Sequence, residues 1–385
     1  MTDTPLLHWT EDGLPRSARW RSESGLAPPR RVLVADDTLA ADTAYRLACE
    51  GTALLWRGDY QNARQLLNAL ARRIDRPPRK PKRKEAAAPT PALPGAAFHR
   101  HRQAQAQRAR VLAMLLLPFE PGWRLALRRA PEVADACRQA WGEGDDACVL
   151  PLRDLLGAIG AREWRRNGVE VAALGARIHP HYGVFSPLRG EYVDLVAAAP
   201  LPNTALAFDI GTGSGVLAAL LARRGVAHVV ATDTDPRALA CARENIERLG
   251  VAAQIDLQAA DLFPPGRAPL VVCNPPWLPA RPAAAIEAAI YDPGSRMLRA
   301  FLDGLTAHLT ADGEGWLLLS DLAEHLGLRT REELLQWIAD AGLQVAGRSD
   351  VRPRHPKAAD ASDPLHKARA AEMTSLWRLK ARAAG

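Results

Sequence analysis

The chain has 385 residues, enough for two or three domains at roughly 100–200 residues each. Hydrophobic residues make up 48% and charged residues 24%, a globular balance that excludes wholesale disorder. The formal net charge of +7 is small for this length, yet compatible with an anionic partner such as nucleic acid.

The longest clean apolar run, residues 111–119, falls short of the roughly 20 residues a membrane span needs. The first residues show no basic stretch followed by an apolar one, so no secretory signal is expected. None of the five cysteines (Cys49, Cys137, Cys148, Cys241, Cys273) stands in a CxxC pair. That argues against a disulfide framework and a structural zinc site, and a reducing cytoplasm fits.

Residues 43–71 show helix-like apolar spacing through Leu47, Leu54, Leu55, Leu66, Leu67 and Leu70, broken at the string WRGDY. With them, residues 1–71 read as an N-terminal helical region. Residues 72–97 are rich in Arg, Lys, Pro and Ala and read as an extended, solvated linker. The basic run from Arg72 to Lys84 has two readings: a solvated linker, or an arm on a phosphate backbone. Residues 98–177 read as helical or mixed. Helices are expected over 98–117 and 128–141, with Pro131 in the first turn and Gly142 as the stop, and a weak strand over 123–127.

The pattern changes in residues 178–385. Strands are expected at 206–210, 228–233, 253–258, 270–273 and 315–320, with helices between them at 213–224, 235–249, 295–309 and 331–341. Two further strands, 344–348 and 374–379, close the sheet as a hairpin-like edge. Strand–helix alternation predicts an α/β, doubly wound, mostly parallel seven-stranded sheet behind a mainly helical N-terminal region.

The first strand of that set runs into Asp209-Ile210-Gly211-Thr212-Gly213-Ser214-Gly215 and then a helix. Glycines there let the backbone turn sharply and approach a ligand. A nicotinamide fingerprint would want a third Gly where Val216 stands, which disfavours an oxidoreductase. Asp233 ends the second strand about 20 residues on, where an acid can take two ribose hydroxyls. Asp235 reads as a helix N-cap with Pro236 behind it. Asp261 and Leu262 follow the third strand, and Asn274-Pro275-Pro276-Trp277 follows the fourth. Two prolines hold that backbone extended and withhold both N–H donors, leaving carbonyl oxygens and the Asn274 amide beside an aromatic face. Such a surface can accept hydrogen bonds from a planar NH2 group and stack on it.

Taken together, DIGTGSG, a following acid, DLF and NPPW resemble class I S-adenosylmethionine-dependent methyltransferases. The [D/N]PP[F/Y/W] segment is similar to the subgroup that methylates amide or exocyclic amine nitrogens, with order and spacing nearest the release-factor glutamine methyltransferases. The resemblance implies S-adenosyl-L-methionine as cofactor. Asp209, Gly211, Thr212, Gly213 and Gly215 would then face its methionine end, Asp233 its ribose, and Asp261 and Leu262 its adenine, with Phe185 closing over it. Asn274 Oδ1 and the Pro275 carbonyl would hold the substrate nitrogen, and Pro276 and Trp277 would complete the substrate wall. Upstream, the GVFS string is nearer the ribosomal-RNA guanine enzymes, and Pro187-Leu188-Arg189 nearer the glutamine enzymes. Trp277 departs from both, which usually carry Tyr or Phe there.

The implied function is N-methylation of a protein glutamine or an RNA base. The alternatives are a nucleic-acid base methyltransferase specifically, or a non-catalytic cofactor-binding protein. His179 and His181 have no neighbouring ligand at metal spacing, so no metal is expected, and Cys273 reads as a core thiol. Tyr291-Asp292-Pro293-Gly294 reads as a turn before a helix or as lining of the substrate pocket, and Trp56, Arg57 and Asp59 as a domain contact.

Overall fold

The computed structural model describes residues 5–76, 95–282, 285–354 and 360–382. These fall into two compact units, one within residues 1–93 and 99–163, the other within 94–98 and 164–385.

The first unit contains the expected helices and also a six-stranded sheet. In chain order its elements are β1 (Leu6–Glu11), β2 (Leu14–Trp20), β3 (Arg31–Ala35), α1 (Ala41–Cys49), β4 (Thr52–Trp56), α2 (Tyr60–Ile74), α3 (Ala96–Leu112), β5 (Leu115–Phe119), α4 (Ala134–Trp141), β6 (Cys148–Pro151) and the start of α5 (Leu152–Asn167). The sheet order is β1-β2-β6-β5-β4-β3. Leu54 and Leu55, assigned above to a helix, lie in β4, and residues 115–117 lie in β5 rather than in a helix. Both strands are short apolar runs buried on both faces, so neither shows the alternation that separates a strand from a buried helix. The helix expected from 128 begins only at Ala134, with Pro131 outside it, although Gly142 does end it. The weak strand at 123–127 is absent; a 3-10 turn occupies Pro121–Trp123. Arg72 and Arg73 end α2 rather than opening a linker, and residues 77–94 lie outside the described residues.

The second unit begins with a small hairpin, β7 (Val169–Val171) and β8 (Ala176–Ile178), then α6 (Glu191–Ala198). There follow β9 (Leu206–Ile210), α7 (Val216–Arg223), β10 (His228–Asp233), α8 (Pro236–Arg248), β11 (Ile255–Ala259), β12 (Ala268–Cys273), α9 (Arg296–His308), β13 (Leu309–Ser320), α10 (Leu322–His325), α11 (Arg331–Asp340), β14 (Leu343–Val351), α12 (His366–Ala371) and β15 (Thr374–Ala381). The sheet order is β11-β10-β9-β12-β13-β15-β14. The first five strands are parallel, and β15 runs antiparallel between β13 and β14.

Strand alternation sorts this core into two layers. Ala207, Leu270, Val272, Trp316 and Leu318 face the cluster that contains α6 and α7, while Phe208, Ile210, Val271, Leu317 and Leu319 face that of α9 and α11. The chain winds outward from β9 to β11 and then crosses to β12 on the other side of β9. Ligands in such sheets bind outside the strand carboxyl ends at this reversal.

Gly315 lies inside β13, and a Cβ there would collide with the Leu305 side chain of α9. Gly315→Ala is therefore expected to cost roughly 1–3 kcal/mol by overpacking, read as a lower urea midpoint. Combined with Leu305→Ala, the loss should be smaller than the sum of the two single losses.

Candidate active site

Strand register sets the site. Ile210 of β9 pairs with Thr232 of β10 and with Cys273 of β12. The next residue on each strand path, Gly211, Asp233 and Asn274, therefore stands on one rim.

Asp209, within β9, is 1% exposed. Its Oδ2 accepts the Thr212 hydroxyl at 2.7 Å and the Ala218 N–H at 3.0 Å, which ties strand, turn and first helical turn together. Burial pushes its carboxyl up to about 6, opposed by those two bonds. Gly213 has φ +55°, and a Cβ on it would meet nothing within 4 Å, so the turn borders open space. Gly215 has φ +80°, and a Cβ there would lie 3.1 Å from the Ala242 Cα of α8. It combines a left-handed turn with close helix packing.

Asp233 is half-buried. Its Oδ2 accepts the Gly213 N–H at 3.0 Å and its Oδ1 the Asp235 N–H at 2.9 Å, so one carboxylate joins the two loops. Burial raises its pKa. Asp235 caps α8 through the Arg237 N–H at 2.9 Å, with Pro236 in the first turn, as its sequence predicts. Asp261 is exposed just beyond β11. Leu262 takes φ +72°, rare for a β-carbon residue, and the Thr232 hydroxyl donates to its carbonyl. Phe185 is half-buried in the loop between β8 and α6.

After β12, Pro275 is buried, while Asn274, Pro276 and Trp277 are half-buried. The Trp277 indole N–H donates to Asn274 Oδ1 at 2.9 Å. Leu278 then bridges to Tyr291. Asp292 lies in the turn that precedes α9, and its Oδ2 accepts two N–H groups of the first helical turn, Met297 at 2.8 Å and Leu298 at 3.2 Å. Met297 Cε stands 2.8 Å from where a Gly211 Cβ would be, so α9 closes on the glycine turn.

Cys273 is wholly buried, and burial pushes its thiol far up, the environment of a core thiol. His179 and His181 clip their segment to α8. The His179 N–H donates to Asn245 Oδ1 at 2.7 Å, and His181 Nε2 lies 2.7 Å from Glu244 Oε2. Among the described residues no group of three or more His, Cys, Asp or Glu side chains could hold a metal ion, and no helix is long and apolar enough to cross a membrane. Sequence reasoning missed the guanidinium of Arg189, whose carbon lies 5.1 Å from the Trp277 ring centre, and the buried Glu372 that binds it. No local signal marks Glu372, because its partner is 183 residues away.

The family model for ribosomal protein L11 methyltransferase (PrmA) matches residues 198–275. A release factor glutamine methyltransferase of Cereibacter sphaeroides is 39% identical over 139 residues, covering 32% of this chain and 50% of that protein. Another, from Mycolicibacterium smegmatis, is 40% identical over 156 residues, covering 39% and 56%. Over these stretches the second unit is similar in sequence to methyltransferases. The chain spans only about half the length of these curated relatives. A solved methyltransferase from Pyrococcus furiosus is 18% identical, with a TM-score of 0.38, and covers 58% of this chain and 98% of that one.

In the second unit, the burial of Asp209 predicts a titration signature. Its folded pKa of about 6 lies above the ordinary value near 3.9, so burial disfavours the charged form. Stability tied to the protonated form is complete below pH ~4 and is lost as pH rises through about 6. The stability of Asp209→Asn relative to wild type should rise across that window, by up to about 3 kcal/mol, and then level off. Urea melts of both chains from pH 3.5 to 8 check this.

Proposed function

We propose that this chain is an S-adenosylmethionine-dependent methyltransferase that methylates a planar amide or exocyclic amine nitrogen of a macromolecule, with a protein glutamine as the favoured acceptor. The observation that carries this is the shared rim of Gly211, Asp233 and Asn274 at the carboxyl ends of β9, β10 and β12. The similarity to two release factor glutamine methyltransferases favours the protein acceptor.

The residues present fit the cofactor. The turn at Gly213 borders open space, and the half-buried Asp233 carboxylate, which accepts the Gly213 and Asp235 N–H groups, is the acid on the rim that can accept a ribose hydroxyl. Gly211, Thr212, Gly213 and Gly215 would hold its methionine end, and Asp261 and Leu262 its adenine, with Phe185 over it. Asp209 acts one step back, holding the turn. When bound, the cofactor supplies an electrophilic methyl group on a sulfonium.

The protein's task is to aim a poor nucleophile. An amide or aryl amine lone pair is delocalised, and hydrogen bonds accepted from its N–H groups return density to nitrogen. Asn274 Oδ1 keeps one lone pair beside the Trp277 bond, and the Pro275 carbonyl supplies a second acceptor. Both bonds strengthen as positive charge grows on nitrogen in the transition state. Pro276 holds the loop extended, and Trp277 offers a planar face. The five free cysteines fit a reducing cytoplasm.

Labelled methyl transfer into a lysate lacking this protein, split by protease and nuclease, tests the acceptor. Label lost to protease is expected; label lost to nuclease would replace protein by nucleic acid. Asn274→Ala should abolish turnover with cofactor affinity intact by calorimetry, and Asp233→Ala should weaken that affinity. Joint loss of both in Asn274→Ala would overturn its assignment.

A further inference from the structure

The NPPW loop of this chain is wired to a buried ion cluster that the proposed chemistry does not use. Arg189 lies in the loop before α6. Its Nε donates to Glu191 Oε1 at 2.7 Å and its Nη2 to Glu372 Oε1 at 3.0 Å. Both glutamate side chains are almost wholly buried, 6% and 3% exposed. The Ser320 hydroxyl, at the end of β13, donates to the same Glu372 oxygen at 2.6 Å and accepts the Leu322 N–H at 3.0 Å. So α6, β13 and the segment before β15 all fix one guanidinium, and that guanidinium sits over the Trp277 ring.

We propose that Arg189, clamped by Glu191 and Glu372, is a positioning residue that sets the Asn274 amide through Trp277. Three physical steps carry this. First, an indole N–H is a donor only, so the atom of Asn274 that faces it must be Oδ1. An unrestrained amide can turn over and present its NH2 to a substrate N–H, donor against donor. The Trp277 bond removes that orientation. Second, a cation over the ring draws electron density from the indole and makes its N–H a stronger donor, while the attraction holds the ring in place. Third, Arg189 cannot drift, because two buried carboxylates hold two different nitrogens of one rigid fork.

Phe at 277 has no N–H, and Tyr carries its hydroxyl at the far end of the ring. The relay therefore gives a physical reason for Trp at this position. It rests on Asn274 being the residue that takes the substrate nitrogen.

The test reads the relay without substrate first. The full-length protein labelled with 15N gives indole resonances for its ten tryptophans, and W277F identifies that of Trp277 by its loss. In wild type that N–H should exchange with water more slowly than that of Trp164, which is 48% exposed. R189M, E372Q and N274A should each shift the Trp277 resonance and speed its exchange. R189K, which keeps the charge but not the fork, should fall between wild type and R189M.

The second readout is methyl transfer to a bacterial release factor. W277F and R189M should lower kcat roughly tenfold to a hundredfold, the scale of an ångström-sized misplacement, with cofactor affinity unchanged. A Trp277 signal indifferent to both R189M and E372Q overturns the relay. So does a fall in kcat that only follows lost cofactor affinity, the mark of a merely structural role. A wild-type chain inactive on release factor that still shows the variant-dependent Trp277 signal supports the relay and overturns the acceptor alone.

Discussion

The site hangs on a carboxylate that is almost wholly out of solvent. Asp209 receives the Thr212 hydroxyl and the Ala218 N–H on a single oxygen, and so fastens the end of a central strand to the turn and to the start of α7. A glycine turn is conformationally loose by nature, and three glycines in five residues raise the ordering entropy that folding must overcome. The buried acid supplies the order that the glycines lack. Asp233 extends that order sideways by taking the Gly213 N–H, so the second strand cannot move without the first loop. The rim is thus a braced structure whose braces are side chain-to-backbone bonds.

The second unit was legible because its signals are local. Parallel strands buried on both faces appear as short apolar runs bounded by Gly, Asp and Pro, with amphipathic helices between, and the strands at 206–210 and 228–233 coincide with those observed. The edge hairpin of β14 and β15 and the Asp235 cap were readable on the same grounds. The first unit was harder. Its β4 and β5 are largely apolar runs of five residues buried on both faces; Gly51 and Gly58 set β4 apart from α1 and α2, but only Ala113 and Met114 separate β5 from α3. One signal there was present and went unread. Glu11 pairs with Leu14 around Asp12-Gly13, both at positive φ, which is a two-residue hairpin turn.

The same contrast runs through the site. Asp209, the glycines, Asp233 and Asn274 lie at or just beyond strand ends and are placed by counting along the chain. Trp277 was readable as a ring but not as a donor, since its partner depends on how the loop folds back. Arg189 and Glu372 meet across 183 residues, and no spacing rule reaches that far. Asp292 is intermediate: its position before a helix marks a turn, but its proximity to the glycine turn, through Met297, is a product of packing.

This division has a consequence for acceptor choice. The PrmA family match ends at Pro275, so it takes in the glycine turn, Asp233, Asp261 and the first two residues of the NPPW loop. Trp277, the Arg189 clamp and Glu372 all lie outside it. The match therefore holds the residues proposed for the cofactor together with the two, Asn274 and Pro275, proposed to hold the acceptor nitrogen. The frame that holds the NPPW loop is assembled from α6, the end of β13 and the approach to β15, outside that match. A clamp built from buried charges tolerates little substitution, because losing one partner leaves the others unpaired in a dry interior. Acceptor preference should then be fixed less by the loop that meets the nitrogen than by the frame that decides how that loop is held.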